Sequence, residues 1–173
     1  MRLLGLDPGL LATGWGVIDV DGNELSHVAN GVVRPNNGAP LSDRLATLYA
    51  ALHRIVVDFS PDEAAVEETF ANRNPASTLK LGQARGAAMV ACLSHNLPIE
   101  EYSARQVKQA VAGTGSAAKN QVQYMVKALL RISDNIDEDA ADALAIAICH
   151  ANTQNSLIRM AGSKPYSKKH VRS

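Results

Sequence analysis

The residues able to do chemistry in this chain are carboxylates, spread over its whole length. Asp7 closes a short apolar run, Leu3 to Leu6, and is followed by Pro8-Gly9. An Asp before Pro-Gly is an ordinary turn residue. It is also a carboxylate at the end of a strand, where open α/β sheets place their sites. Glu67 and Glu68 follow a second apolar run, Ala64-Ala65-Val66. Strand alternation sends these two acids to opposite faces, so one can serve a site while the other is solvated. Asp139 and Asp142 lie three positions apart, on one face of a helix whose next residues are Ala143-Leu144-Ala145-Ile146-Ala147-Ile148-Cys149. Acids at a helix start complement its dipole, which accounts for Asp137 and Glu138 but poorly for Asp142, a turn deeper. Glu138 and Asp142 also share a face, so spacing alone does not select Asp139.

Taken together, these acids describe a hard-oxygen site. Carboxylates from two strand ends and one helix suit Mg²⁺, with Mn²⁺ as a substitute. Such ions activate water and stabilise the leaving oxygen of a phosphodiester. Zinc is disfavoured, because His27, His53, His95, His150 and His170 show no ligand spacing. There is no Walker A loop, and Gly5, Gly9, Gly14 and Gly16 do not make a dinucleotide-binding fingerprint.

The elements that must position the acids can be read from periodicity. Leu3–Asp7, Gly14–Val20 and roughly Leu25–Val33 read as three antiparallel strands, with a hairpin turn at Asp21-Gly22-Asn23. Leu41 to Phe59 carries Leu45, Leu48, Leu52, Ile55 and Val56 at helical spacing. Ala64–Glu67 is a strand, 69–75 a loop, and 76–95 a helix of small residues. Pro98–Tyr102 is a strand, and Ser103 opens a helix to about Ala112. A further helix ends near Arg131, with Ser116 as its expected cap. The last helix, about 138–152, is apolar nearly all round and should be buried. The expected fold class is α/β: a mixed sheet with helices on both faces.

Composition fits one globular domain, expected over residues 1–156, with a basic, disordered tail over 157–173. Hydrophobic residues make up 46% but aromatics only 4%, so the core must be aliphatic. No apolar run approaches a membrane span, and no secretory signal core precedes Asp7. Cys92 and Cys149 read as reduced core residues, which points to the cytoplasm. The formal net charge is zero, yet the charges are segregated. Residues 1–68 carry −6, 69–131 carry +6, 132–158 carry −5 and 159–173 carry +5. A basic middle between acidic blocks can hold phosphates at one surface and metal at another. Segregated surface charge without a partner is the plain alternative.

Leu6-Asp7-Pro8-Gly9 with Thr13-Gly14-Trp15-Gly16, then Val66-Glu67, then Leu81-Gly82-Gln83-Ala84-Arg85-Gly86, resembles the RuvC family of Holliday junction resolvases in order and spacing. So do Ala104-Arg105-Gln106-Val107-Lys108, Gly113-Thr114-Gly115 and Asp139-Ala140-Ala141-Asp142-Ala143-Leu144-Ala145. Each string is weak alone; the ordered set, over roughly residues 3 to 152, is specific. The resemblance implies an RNase H-like five-stranded sheet and a homodimer paired through the small-residue helix. It also implies symmetric Mg²⁺- or Mn²⁺-dependent cuts in two strands of four-way junction DNA, and work alongside the RuvA–RuvB branch-migration complex.

By this resemblance Asp7, Glu67, Asp139 and Asp142 are the catalytic acids, which resolves the choices that spacing left open. Phe70 matches an aromatic used against junction bases, its alternative being a hydrophobic staple for the next helix. Lys108 and Lys119 match lysines near the scissile phosphates, their alternative being solvated helix lysines. Arg73 and Arg85 are further DNA candidates; Arg85 could instead serve the dimer. Residues 34–40 and those after Asn152 fall outside the match. Two other classes compete. Actin-like and sugar-kinase ATPases share a strand–Asp–x–Gly opening but need a second domain of similar size. A non-catalytic DNA-binding module has little use for four acids that repel phosphate.

Overall fold

The computed structural model describes residues 1–68 and 74–160, with the side chains of 158–160 left aside. Three strands open the chain: β1 (Arg2–Asp7), β2 (Thr13–Asp21) and β3 (Glu24–Val33). They are followed by α1 (Leu41–Phe59), β4 (Glu63–Glu67), α2 (Pro75–Leu93) and β5 (Ile99–Tyr102). Three helices close it: α3 (Ala104–Ala112), α4 (Lys119–Leu130) and α5 (Glu138–Met160). The sheet order is β3-β2-β1-β4-β5. β1 pairs antiparallel with β2 and β2 with β3, while β1–β4 and β4–β5 are parallel. This is the mixed five-stranded sheet expected from hairpins followed by strand–helix alternation.

Alternation along the strands sorts side chains into two cores. Leu4, Leu6, Val17, Ala64 and Val66 face α1 and α2, whose Leu48, Leu52, Ala84 and Ala88 are fully buried against them. Leu3, Ile18 and Ala65 face α3, α4 and α5. Each Leu or Val so enclosed contributes roughly 1.5–3 kcal/mol over its exposed state. Cys92 and Cys149 are both free and buried, as their apolar surroundings suggested.

Glycines decide how α5 sits on the sheet. Gly5 pairs with Gly16, and Asp7 pairs with Gly14, so these four residues point to one face. A Cβ on Gly14 would lie 1.8 Å from the Asp139 carbonyl oxygen; one on Gly5 would lie 2.0 Å from that of Ala143. A Cβ on Gly16 would strike the Leu144 side chain at 2.6 Å. The three glycines form a notch that lets the α5 backbone touch the sheet. That seating, and the small residues Ala140, Ala143 and Ala147, explain why α5 is buried along most of its length.

Ser103 caps α3 with a full capping box to Gln106. Asn74 caps α2, accepting from the Ala76 and Ser77 amides at 3.0 and 3.4 Å. Ser116 does not cap α4. The cap position is Ala118, without a side-chain bond, and Ser116 instead shares a 3.0 Å hydrogen bond with Thr114 inside the loop. α5 also runs to Met160, well beyond Asn152 and past Leu157, where the tail was expected to begin. Residues 161–173 lie outside the described residues. Among the described residues, no helix is long and apolar enough to cross a membrane.

Candidate active site

The glycine notch brings α5 to the end of β1, and with it two acids to a third. Asp7, at the C-terminal end of β1, shares its face with Gly14, against which the Asp139 backbone rests. β4 lies beside β1 in parallel, so its last residue, Glu67, ends at the same edge. Ala64 and Val66 belong to the α1–α2 core, which turns Glu63, Ala65 and Glu67 toward α5. Glu68 falls just beyond the strand, where its amide donates to the Tyr102 carbonyl at 2.8 Å. The geometry therefore separates Glu67 from Glu68.

The acids feel one another. Asp7 is pushed up to about 7, first by burial and then by the negative charges of Glu67, Asp142 and Asp139. Burial also raises Glu67, with Asp142 adding to the effect and the Lys108 ammonium opposing it. Asp142 is raised by burial and held back by a hydrogen bond from Lys119. Lys119 Nζ lies 3.0 Å from Asp142 Oδ2 and 3.3 Å from Glu138 Oε2. Arg34 reaches Asp137 at 2.7 Å and Asp139 at 3.6 Å. Among the described residues, no group of three or more His, Cys, Asp or Glu side chains is placed so as to hold a metal ion, and the acids would have to draw closer around one. The arrangement is an open pocket of mutually repelling carboxylates, with cations at its rim.

That donor set fits a hard divalent cation. Carboxylate oxygens are the ligands Mg²⁺ and Mn²⁺ prefer. Burial and the neighbouring negative charges hold Asp7 near 7, and a positive charge among these groups would favour its ionised form. Asp7, Glu67, Asp139 and Asp142 are the residues that could hold it. Beside them opens a cleft of about 280 Å³, lined by Glu67, Asp142, Lys108 and Lys119 over an apolar floor of Val107, Val122 and Ile146. Two lysines facing two carboxylates across one cleft can seat a phosphate next to a cation.

Phe70 and Arg73, expected to contact DNA, lie outside the described residues. Arg85 turns away from the exposed face of α2. Its guanidinium is paired with Glu101, and its Nε donates to the Glu67 carbonyl at 3.3 Å. The reason is its place between Leu81 and Ala88, on the side of α2 that meets the sheet. Arg85 thus braces the strand end that carries Glu67. Arg34 and the buried His150 escaped sequence reasoning. Arg34 lies in a stretch without a recognisable motif. His150 did leave a signal: it is a histidine in an otherwise apolar helical run.

A mixed sheet with two antiparallel hairpins, two parallel strands and acids gathered at one edge defines an RNase H-like resolvase architecture. The yeast mitochondrial Holliday junction resolvase Ydc2 shares the fold at TM-score 0.64 and 11% identity, over 92% of this chain and 83% of that one. Much closer is Thermus thermophilus RuvC in complex with Holliday junction substrate, at TM-score 0.85 and 36% identity, over 96% of this chain and 99% of that one. The family model for crossover junction endodeoxyribonuclease RuvC matches residues 3–150. The crossover junction endodeoxyribonuclease RuvC of Paramagnetospirillum magneticum is 58% identical over 162 residues, 92% of this chain and 98% of that protein. The chain belongs to the RuvC family.

Proposed function

We propose that this chain is a structure-selective endonuclease that resolves Holliday junctions by paired, symmetric phosphodiester hydrolysis in DNA recombination and repair. The observation that carries the reading is the electrostatic contact of Asp7 with Glu67, Asp142 and Asp139, next to a cleft lined by Glu67, Asp142, Lys108 and Lys119; Asp7 is pushed up to about 7, first by burial and then by those acids. Membership of the RuvC family supports the substrate, since the Thermus thermophilus relative is described with a Holliday junction bound.

The four carboxylates would hold Mg²⁺, or Mn²⁺ in its place. Bound there, the ions supply a water of lowered pKa and stabilise charge on the leaving oxygen. The protein's own part is placement. Asp7 and Glu67 are fixed by adjacent parallel strands, and Asp139 and Asp142 by one helix resting on a glycine notch. Lys108 and Lys119 present ammonium groups to the backbone phosphates flanking the cut. Lys119 is bonded to Asp142 and Glu138. With a cation held by Asp142, the Lys119 ammonium group would be left available for phosphate. Phe70 stacks on a junction base and Arg73 adds a phosphate contact in this reading.

Two matched cuts need two sites, hence a symmetric homodimer. The outer face of α2 suits a second copy. Leu79, Val90 and Leu93 are each more than half exposed there, and Gly82 and Gly86 leave open space beside them. The same reading places the enzyme in the cytoplasm, acting on junctions handled by the RuvA–RuvB complex.

The test is cleavage of a synthetic four-way junction against linear duplex, with and without Mg²⁺. Symmetric cutting of the junction alone, only with the ion, is expected. Equal cutting of both substrates, or cutting in EDTA, contradicts the reading.

A further inference from the structure

α5 carries a polar group that the chemistry above does not use. Among the described residues, His150 and Thr13 are the buried polar side chains, and both are fully enclosed. His150 sits between two partners from different strands. Its Nε2 lies 2.7 Å from Glu63 Oε2 on β4, and its Nδ1 lies 2.8 Å from the Tyr102 hydroxyl at the end of β5. Gln154, one turn further along α5, donates to the same Glu63 oxygen at 3.1 Å. The simplest assignment runs one way: the Tyr102 hydroxyl donates to Nδ1, and Nε2–H donates to the carboxylate.

A buried chain of this kind is poor value as a stabiliser. Removing polar groups from water costs free energy that their pairing does little more than return. A Leu at position 150 would pack the same space more cheaply. What polar partners add is register, because they tolerate only one alignment of the elements they join.

The lengths fit that role. Asp142 precedes His150 by eight helical residues, about 12 Å along the axis. Glu67 follows Glu63 by four strand residues, about 13 Å along β4, on the same face. α5 and β4 run in opposite directions here, so fixing His150 to Glu63 at one end sets Asp142 opposite Glu67 at the other. The glycine notch seats α5 on β1 and β2. The His150 contacts join it to the other half of the sheet, β4 and β5. Tyr102 is also the register partner of Glu67 and precedes Ser103, the cap of the helix bearing Lys108. A slip of one helical turn, about 5.4 Å, would part the two acids.

We infer that His150, tied to Glu63 and Tyr102, is a positioning residue that holds α5 in the register at which Asp142 and Glu67 share a divalent cation. The inference rests on the metal-binding reading of those acids proposed above. Its role is thus indirect: His150 touches neither DNA nor ion. Groups that orient metal ligands from behind change metal affinity by tenfold or more when removed, and His150 acts on ligand placement in the same sense.

The test measures Mn²⁺ binding to DNA-free protein, by the electron paramagnetic resonance signal of the free ion, together with circular dichroism and junction binding in EDTA. H150L is expected to keep its fold and its junction affinity, to bind Mn²⁺ about tenfold more weakly, and to need correspondingly more Mg²⁺ for half-maximal cleavage. E63L should follow H150L. E63Q, which keeps an oxygen to accept from the ring, should retain most of the wild-type affinity. Should H150L unfold, Y102F, which removes a single hydroxyl, must show a smaller loss in the same direction. Wild-type Mn²⁺ affinity in folded H150L, or in Y102F if H150L does not fold, overturns the inference and leaves the metal site standing. A loss of stability and junction binding in step with Mn²⁺ binding across all variants overturns it too, as a purely structural role. Wild-type protein that binds no Mn²⁺ removes the metal-binding reading, and this inference with it.

Discussion

The two faces of the central sheet are built from the same strands and do different work. On β1, Leu4 and Leu6 turn to the α1–α2 side, where they meet Leu48, Leu52 and the alanines of α2. Leu3, Gly5 and Asp7 turn to the α5 side. The first side is a mainly aliphatic core, with Trp15, Tyr49 and Phe59 packed at its margin. The second gives up side-chain volume at Gly5, Gly14 and Gly16 so that a helix backbone can touch the sheet, and gathers acids at the edge. The contrast teaches that strand alternation confines the acids to one of two packed faces. A one-residue slip of β1 would exchange the faces and destroy both.

The largest break in that comparison should come from the acids. Asp7→Asn, Glu67→Gln or Asp142→Asn is expected to lower junction cleavage by about a thousandfold while junction binding in EDTA persists. A cleavage rate near wild type in any of them removes that residue from the site. Next comes a matched pair, one change on each face. Leu6→Ala should lower unfolding free energy by about 2–4 kcal/mol through a cavity, with the Mg²⁺ requirement nearly unchanged. Gly14→Ala forces a Cβ onto the Asp139 carbonyl, so α5 must shift. It should raise the Mg²⁺ requirement out of proportion to any change in denaturation midpoint. If both variants lose stability and metal dependence in the same ratio, the two faces are not functionally distinct.

A smaller effect concerns charge. With Asp7 pushed up to about 7, the folded, metal-free protein holds a proton that the unfolded chain, with an Asp near 3.8, has released. Its stability therefore rises as the pH falls through 7, with the gain complete below about 4, and is lost again as the pH rises. Glu67 and Asp142, both raised, add in the same direction. Asp7→Asn should stabilise the metal-free protein by about 2 kcal/mol at pH 8 and flatten this dependence. Urea unfolding at pH 6 and 8 in EDTA checks both. Stability that climbs between pH 6 and 8 contradicts the crowding of charge.

The smallest stability effect is expected at the outer side of the packing face. Val90→Asp or Leu93→Asp on α2 should alter the monomer's unfolding by no more than about 0.5 kcal/mol, because both side chains are exposed. Sedimentation should nevertheless show loss of the dimer, and junctions should then accumulate single nicks. Dimers that survive both changes place the interface elsewhere.

Much of this comparison was legible in the sequence. The hairpin at Asp21-Gly22-Asn23, the helical spacing of Leu45 to Val56, and the helix opened by Ser103 are local signals, and each appears where local rules put it. Sequence could nominate the acids by type and by family likeness. It could not show how they meet, because the glycine notch exists only once β1 and β2 are paired in register. Read along the chain, Gly5, Gly14 and Gly16 were a failed dinucleotide motif; read across the sheet, they are the seat of α5. The pairing of Arg85 with Glu101 and the Glu67 carbonyl was hidden for the same reason, since it depends on β4 and β5 ending beside α2. Ser116 fitted the statistics of a cap but was drawn into its own loop by Thr114.

The central claim is that Asp7, Glu67, Asp139 and Asp142 form one divalent-cation site at the sheet edge. Anomalous scattering from crystals of the protein soaked in Mn²⁺ tests it most directly. A peak within coordination distance of oxygens from at least three of the four side chains, with Lys119 displaced from Asp142, is the predicted result. Peaks only at unrelated surface carboxylates, with these four left unligated at saturating Mn²⁺, would contradict it.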